Sequence, residues 1–231
     1  MNETALSLFP ILLGIAFLAA HLISDKIHLK HKPALMSFSV GISLAYIFLY
    51  LFPEMLQTSR FDSIAVFSSV LLGIAATRLV EIHVWKHRSK SILRKELKEV
   101  HAAAFFLYHF VIGMVLFELL RFSVAGGILF FLPALLHSAV SSTSLKEIHD
   151  EIRSGASKVL LALSTLLGIS MMYIVSVPAS AHSILLGFVV GVLLYIVMRD
   201  SMPKETNGKP LYFLAGILLY AMLIVFLKMV G

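Results

Sequence analysis

The sequence predicts an all-α integral membrane fold: eight transmembrane helices in a 3+2+3 arrangement, with spans 1–3 and 6–8 as inverted repeats. Composition is the first reason. Of 231 residues, 59% are hydrophobic and only 14% are charged, whereas soluble domains carry about 45–50% apolar and about 25% charged residues. So few charges cannot cover a water-facing surface, and lipid becomes the solvent for most of the chain. The second reason is the placement of basic residues in alternate connections, and the third is a segment that recurs 150 residues later.

A helix needs roughly 20 mainly apolar residues to cross the hydrocarbon core. The expected spans are 4–23, 34–57, 61–82, 101–120, 123–144, 156–177, 180–200 and 210–230. The first opens Met-Asn-Glu-Thr with no basic stretch before its apolar run, so a retained helix is expected rather than a cleaved signal peptide. The connections are short and leave no room for a soluble domain. The sizeable one is a basic loop over 83–100, with Lys86, Arg88, Lys90, Arg94, Lys95 and Lys98.

Those charges orient the chain. Of the 19 Lys and Arg residues, all but Arg60, Arg78, Arg121 and Lys228 lie in or beside the connections after spans one, three, five and seven. Basic connections stay in the cytoplasm, so the N- and C-termini are expected on the non-cytoplasmic side, with the plasma membrane as the expected location. A net charge of +6 then reads as loops facing anionic headgroups, and no nucleic-acid partner is expected. The absence of cysteine excludes disulfide frameworks, thiolate metal sites and Cys nucleophiles.

Segment 37–54 reads SFSVGISLAYIFLYLFPE and segment 187–205 reads GFVVGVLLYIVMRDSMPKE. Phe38, Val40, Gly41, Leu44 and Pro53 recur as Phe188, Val190, Gly191, Leu194 and Pro203. The two copies fall in spans two and seven, which cross in opposite directions. Inverted repeats of this kind are a common architecture of secondary transporters, with the substrate site at the repeat interface.

Eight spans, outside termini, a long loop after span three and the residues Phe38, Gly41, Leu44, Tyr50, Pro53 and Glu54 resemble the ZIP (Zrt/Irt-like) metal transporters. Their second helix reads F-x-x-G-x-x-L, then His-x-x-Pro and an acidic residue. Gly191, Leu194, Tyr195 and Asp200 are similar to the family's seventh helix. The resemblance implies a membrane transporter of divalent metal ions, zinc or a similar ion, carried as substrate with no tightly bound cofactor. It places the metal site between spans four and five: His137 as main ligand, with His109, Ser138, Ser141 and Tyr108. Tyr50, Glu54, Glu118 and Asp200 are expected along the pathway or at its vestibule.

The chain departs from the family at the metal site. Tyr50, Tyr108 and Ser141 stand where the family has His, His and a carboxylate, and His109 is one place out of register. A divalent ion giving up its water needs imidazole or anionic donors in exchange, so a reduced, non-standard site is expected. A ZIP-fold protein that no longer transports, and serves binding, regulation or scaffolding, is the alternative. An intramembrane metal-dependent hydrolase is a remote one, since no H-E-x-x-H, G-x-S-x-G or mid-membrane Asp is present. No enzymatic activity is expected.

Other polar residues have local readings. His137, Ser141 and Ser144 fall within about 60° of one another on a helix, and Ser138 and Ser142 form a neighbouring stripe. Such a stripe lines a pathway or lets helices approach closely. His109 and His137 are ionisable groups at membrane depth, functional candidates by default. Glu118 lies about 180° round the helix from His109 and has the i,i+3 spacing to pair with Arg121. Arg78 and Glu81 share that spacing. His83 and His87 have the i,i+4 spacing that can capture a metal in the loop, though a mainly basic loop favours headgroups. The Met171–Met172 pair reads as packing before soft-metal ligation. The expected partners are the bilayer and the metal ion, with a homodimer open.

Overall fold

A computed structural model describes residues 3–24, 32–57, 63–86, 93–148, 156–175, 178–198 and 208–230. Among them there is no strand, and the helices fall into eight segments. These are α1 (Glu3–Ser24), α2 (Lys32–Tyr46, a π-helical stretch Ile47–Leu51, then Phe52–Gln57), α3 (Ser63–Lys86), α4 (Leu93–Phe122), α5 (Val124–Ile148), α6 (Ala156–Ile174), α7 (Ala179–Ile196) and α8 (Pro210–Val230). By length and composition, Pro33–Gln57 and Pro210–Met229 are long and apolar enough to cross a membrane. Shorter apolar helical stretches occupy Leu8–Ile23, Ser63–Leu79, Val124–Ala139, Leu163–Ile174 and Ala181–Ile196.

The expected loop over 83–100 needs correction. Helix α3 continues to Lys86 and α4 begins at Leu93, so part of that stretch is helical. Hydropathy marks where apolar residues stop, but Arg, Lys, Glu and Leu are good helix formers and carry the backbone ladder beyond that point. For the same reason α5 runs to Ile148, past the expected end at 144.

Prolines and serines shape the helices locally. Pro53 offers no N–H to the Leu49 carbonyl and crowds it; just ahead of it the backbone widens, with the Phe52 N–H donating to Ile47 O. Inside α5, Pro133 leaves the Leu129 carbonyl without its helical donor, and the Tyr220 hydroxyl donates to that carbonyl at 2.5 Å. Helices α4 and α5 are separated by Ser123 alone. Its hydroxyl accepts from the Gly126 N–H at 3.1 Å, an N-cap for α5.

Three parallel pairs form the frame: α2 with α8, α3 with α7, and α4 with α6. Glycines set their closeness. A Cβ on Gly41 would overlap Phe213 O and meet Ile217 N, while one on Gly216 would overlap Phe38 O and meet Ile42 N. Between α3 and α7, Gly191 meets Val70 O and Ile74 N, and Gly73 meets Phe188 O and Val192 N. The backbones touch here, which only a missing side chain allows. Helix α1 packs on α5 and α6, α5 on α2 and α4, and α7 on α4.

The core lies along α2, α4, α5 and α7, with Tyr46, Ile47, Leu51, Ile112, Leu116, Phe130 and Val190 fully enclosed. The outward faces are apolar too. Leu211, Leu214, Leu218, Met222, Val225 and Met229 form one exposed stripe on α8, and Ile64, Phe67, Leu71 and Leu72 are exposed on α3.

Candidate functional site

Helix α5 carries the two consecutive residues around which the polar interior is organised. At about 100° per residue His137 and Ser138 leave the helix on adjacent sides, and each is buried. His137 lines a small cavity, about 10 Å³, with Ser43, Tyr46 and Ile47 of α2, Phe130, Pro133 and Ala134 of α5, and Leu193 and Val197 at α7. That is room for roughly one water. Four of the contributors form two pairs at the 150-residue offset: Ser43 with Leu193, and Ile47 with Val197.

Aromatic rings cluster around Tyr46, which lines the cavity with Phe130. Tyr46 stacks on Tyr50 with centroids 5.5 Å apart and meets Phe130 at 5.9 Å and Tyr220 at 6.3 Å. The Tyr46 hydroxyl is buried with no hydrogen-bond partner among the described residues. Tyr50 reaches the α4–α5 corner, where a Cβ on Gly126 would overlap its hydroxyl.

On its other side, Ser138 sits between two imidazoles. Its Oγ lies 3.0 Å from His109 Nε2 of α4 and 3.0 Å from His21 Nε2 of α1. The two rings are 4.6 Å apart between centroids, inclined by 71°. One hydroxyl can donate to one ring and accept from the other, so this buried network satisfies itself. Tyr108 connects the two sides: its ring lies 4.8 Å from that of His109 and 6.2 Å from that of His137.

A second cluster forms where α4 ends and α7 begins. Glu118, 3% exposed, pairs with Arg121 at 3.4 Å, as the spacing predicts. Its other oxygen lies 3.6 Å from Nδ1 of His182, whose ring packs on Phe122 at 4.3 Å.

No family model matches this chain, and no curated protein does. Its residues must carry the reading.

Of the expected metal-site residues, His109 and Ser138 come together and Tyr108 stands beside both histidines, whereas His137 faces the separate cavity. Ser141 belongs to the backbone of α5, its side chain outside the described residues. Of the pathway candidates, Tyr50 and Glu54 are half-buried at the end of α2 and Glu118 is buried; Asp200 lies outside the described residues. So does His87, and the side chains of His83 and Glu81 are likewise outside them. Arg78 donates to the Tyr195 hydroxyl at 3.5 Å. Among the described residues, no group of three or more His, Cys, Asp or Glu is placed to hold a metal ion. The residues that sequence reasoning passed over are His21 and His182. Both are ionisable groups within apolar spans, and the rule that picked out His109 and His137 applies equally to them.

Proposed function

We propose that this chain is a ZIP-like membrane transporter of divalent metal ions, zinc or a similar ion, with a non-standard site. In this reading all eight helices span the bilayer, with both termini on the non-cytoplasmic side, as a 3+2+3 bundle with inverted repeats. The outward apolar stripes on α3 and α8 support a lipid-facing exterior. The packing pairs support the repeat. Exchanging α1 with α6, α2 with α7, α3 with α8 and α4 with α5 turns the α2–α8 pair into α7–α3, and α4–α6 into α5–α1.

One observation carries the functional reading: the cavity beside His137 is lined by equivalent positions of α2 and α7. Secondary transporters built from inverted repeats hold their substrate at that interface. His137 is then the ligand on the α2–α5–α7 side, and His109 with Ser138 offers imidazole and hydroxyl donors on the other. A polar lining that changes partners as the two repeat units rock against α4 and α5 would hand an ion from one side to the other. The test is zinc uptake by the purified protein in liposomes. Saturable uptake that falls in His137→Ala is the expected result; uptake that is unchanged in that variant removes His137 from the pathway.

A second reading follows from the aromatic cluster. Tyr46, Tyr50, Phe130 and Tyr220 fill the space around a cavity of about 10 Å³, which favours a ZIP-fold protein that binds or scaffolds without moving ions. Liposomes that take up zinc only at the protein-free rate select this reading.

A further inference from the structure

We propose that His21 of α1 is a ligand for the transported ion, and that His21, His109 and Ser138 form a three-helix cradle selective for imidazole-preferring metals. The inference rests on the transport reading and assigns the ion a second station apart from His137.

Convergence is the first argument. Three donor atoms from α1, α4 and α5 meet at one buried point, since both Nε2 atoms lie 3.0 Å from the same Ser138 Oγ. For metal–nitrogen bonds of about 2.0–2.1 Å, the donors of a tetrahedral site stand about 3.3 Å apart. The two edges from Ser138 Oγ, 3.0 Å each, are already close to that length, so they need only small side-chain shifts to admit an ion. Entry needs no carboxylate and no net proton release. The imidazole that donates to Ser138 moves its proton from Nε2 to Nδ1, and both Nε2 lone pairs then face the ion. Water supplies the remaining coordination, as it does for ions in transit.

The donor set argues the selectivity. Two neutral imidazoles and a hydroxyl suit zinc and its neighbours cobalt, nickel and copper, whereas magnesium, calcium and manganese prefer carboxylate, carbonyl and water. Without an anionic donor the bound ion keeps its charge in a buried site, which holds affinity down and favours release. Tyr108, in ring contact with both His109 and His137, marks the short route between the cradle and the cavity.

The test uses the full-length protein in detergent, titrated with Co²⁺ and followed by its visible absorption, and with Zn²⁺ by calorimetry. The wild-type protein is expected to give a nitrogen-ligated cobalt spectrum that excess Mg²⁺ does not displace. His21→Ala and His109→Ala are each expected to weaken binding by about tenfold or more, the scale set by the loss of even outer-shell partners. His21→Cys restores affinity, and His182→Ala leaves it unchanged. Thermal melting of each variant verifies folding, and His21→Gln replaces the alanine variant where that one fails to fold. Cobalt binding and zinc uptake that persist unchanged in the folded His21 variants overturn the cradle and leave the transport reading standing. A wild-type protein that neither binds cobalt nor takes up zinc overturns both.

Discussion

Ile47 and Val197, 150 residues apart, occupy the same place in two different helices: each begins a π-helical turn, each is 1% exposed, and both line the cavity beside His137. Such turns are frequent at functional sites because they free a backbone group and re-aim the side chains around it. In the transporter proposed above, these matched irregularities would sit at the interface that holds the cargo.

The reciprocal glycine contacts predict matched costs. Gly41→Ala and Gly191→Ala each push a Cβ into a backbone carbonyl, of Phe213 and Val70 respectively. Neither carbonyl can rotate away, so the helices must part, at about 1–3 kcal/mol each. The two variants act on different helix pairs, so their costs should add within about 0.5 kcal/mol. Unfolding of the single and double variants in detergent measures this, with Ala215→Leu on the exposed face of α8 as the neutral control. A cost at one glycine without the other would break the equivalence of the pairs.

Two buried tyrosines should respond to loss of the hydroxyl in opposite ways. Tyr220 donates to the Leu129 carbonyl that Pro133 leaves vacant, so Tyr220→Phe orphans a buried acceptor and costs about 1–3 kcal/mol. The Tyr46 hydroxyl has no partner among the described residues, and Tyr46→Phe should be neutral or slightly stabilising. Comparison of the two melting temperatures decides. A destabilised Tyr46→Phe would mean that something in the cavity bonds to that hydroxyl.

Apolar runs and loop charge made the eight helical segments legible, because each depends on neighbours in sequence. Helix ends were less so: 93–100 is charged yet helical, since backbone hydrogen bonding is indifferent to hydropathy. The 150-residue repeat was visible in α2 and α7, but its partner strip in α3 and α8 was not. Gly73 and Gly216 make matching contacts at an offset of 143, because 31 residues separate Gly41 from Gly73 and 24 separate Gly191 from Gly216. The site was half legible. His109 and Ser138 were singled out from their own helices, whereas the bond from Ser138 to His21, across 117 residues, exists only once α1 packs on α5.

The Glu118–His182 contact predicts coupling that the Glu118–Arg121 pair lacks. Glu118 and His182 are both enclosed, at 4% side-chain exposure, whereas Arg121 is 55% exposed. A double-mutant cycle with Glu118→Gln and His182→Ala should give a coupling of about 0.5–3 kcal/mol. The cycle with Arg121→Ala should fall to about 0–1 kcal/mol, because solvent screens the exposed guanidinium. Equal couplings in the two cycles would show that the buried imidazole does not engage the carboxylate.

Pro53 supplies the remaining prediction, which separates stability from function. Pro53→Ala restores an N–H that can bond the Leu49 carbonyl, so α2 can close its π-helical stretch into regular α-helix. Removing a mid-helix proline relieves a ring clash worth about 3 kcal/mol in an otherwise regular helix. The melting temperature should therefore hold or rise. Closing the wide turn, however, rotates Tyr50 and Glu54 relative to Ser43 and Tyr46 by about 100°, which takes the C-terminal part of α2 out of register with the cavity. Zinc uptake should fall in liposomes even as the protein becomes no less stable. A variant that melts higher and transports at the wild-type rate would show that the π-helical turn serves only to accommodate the proline.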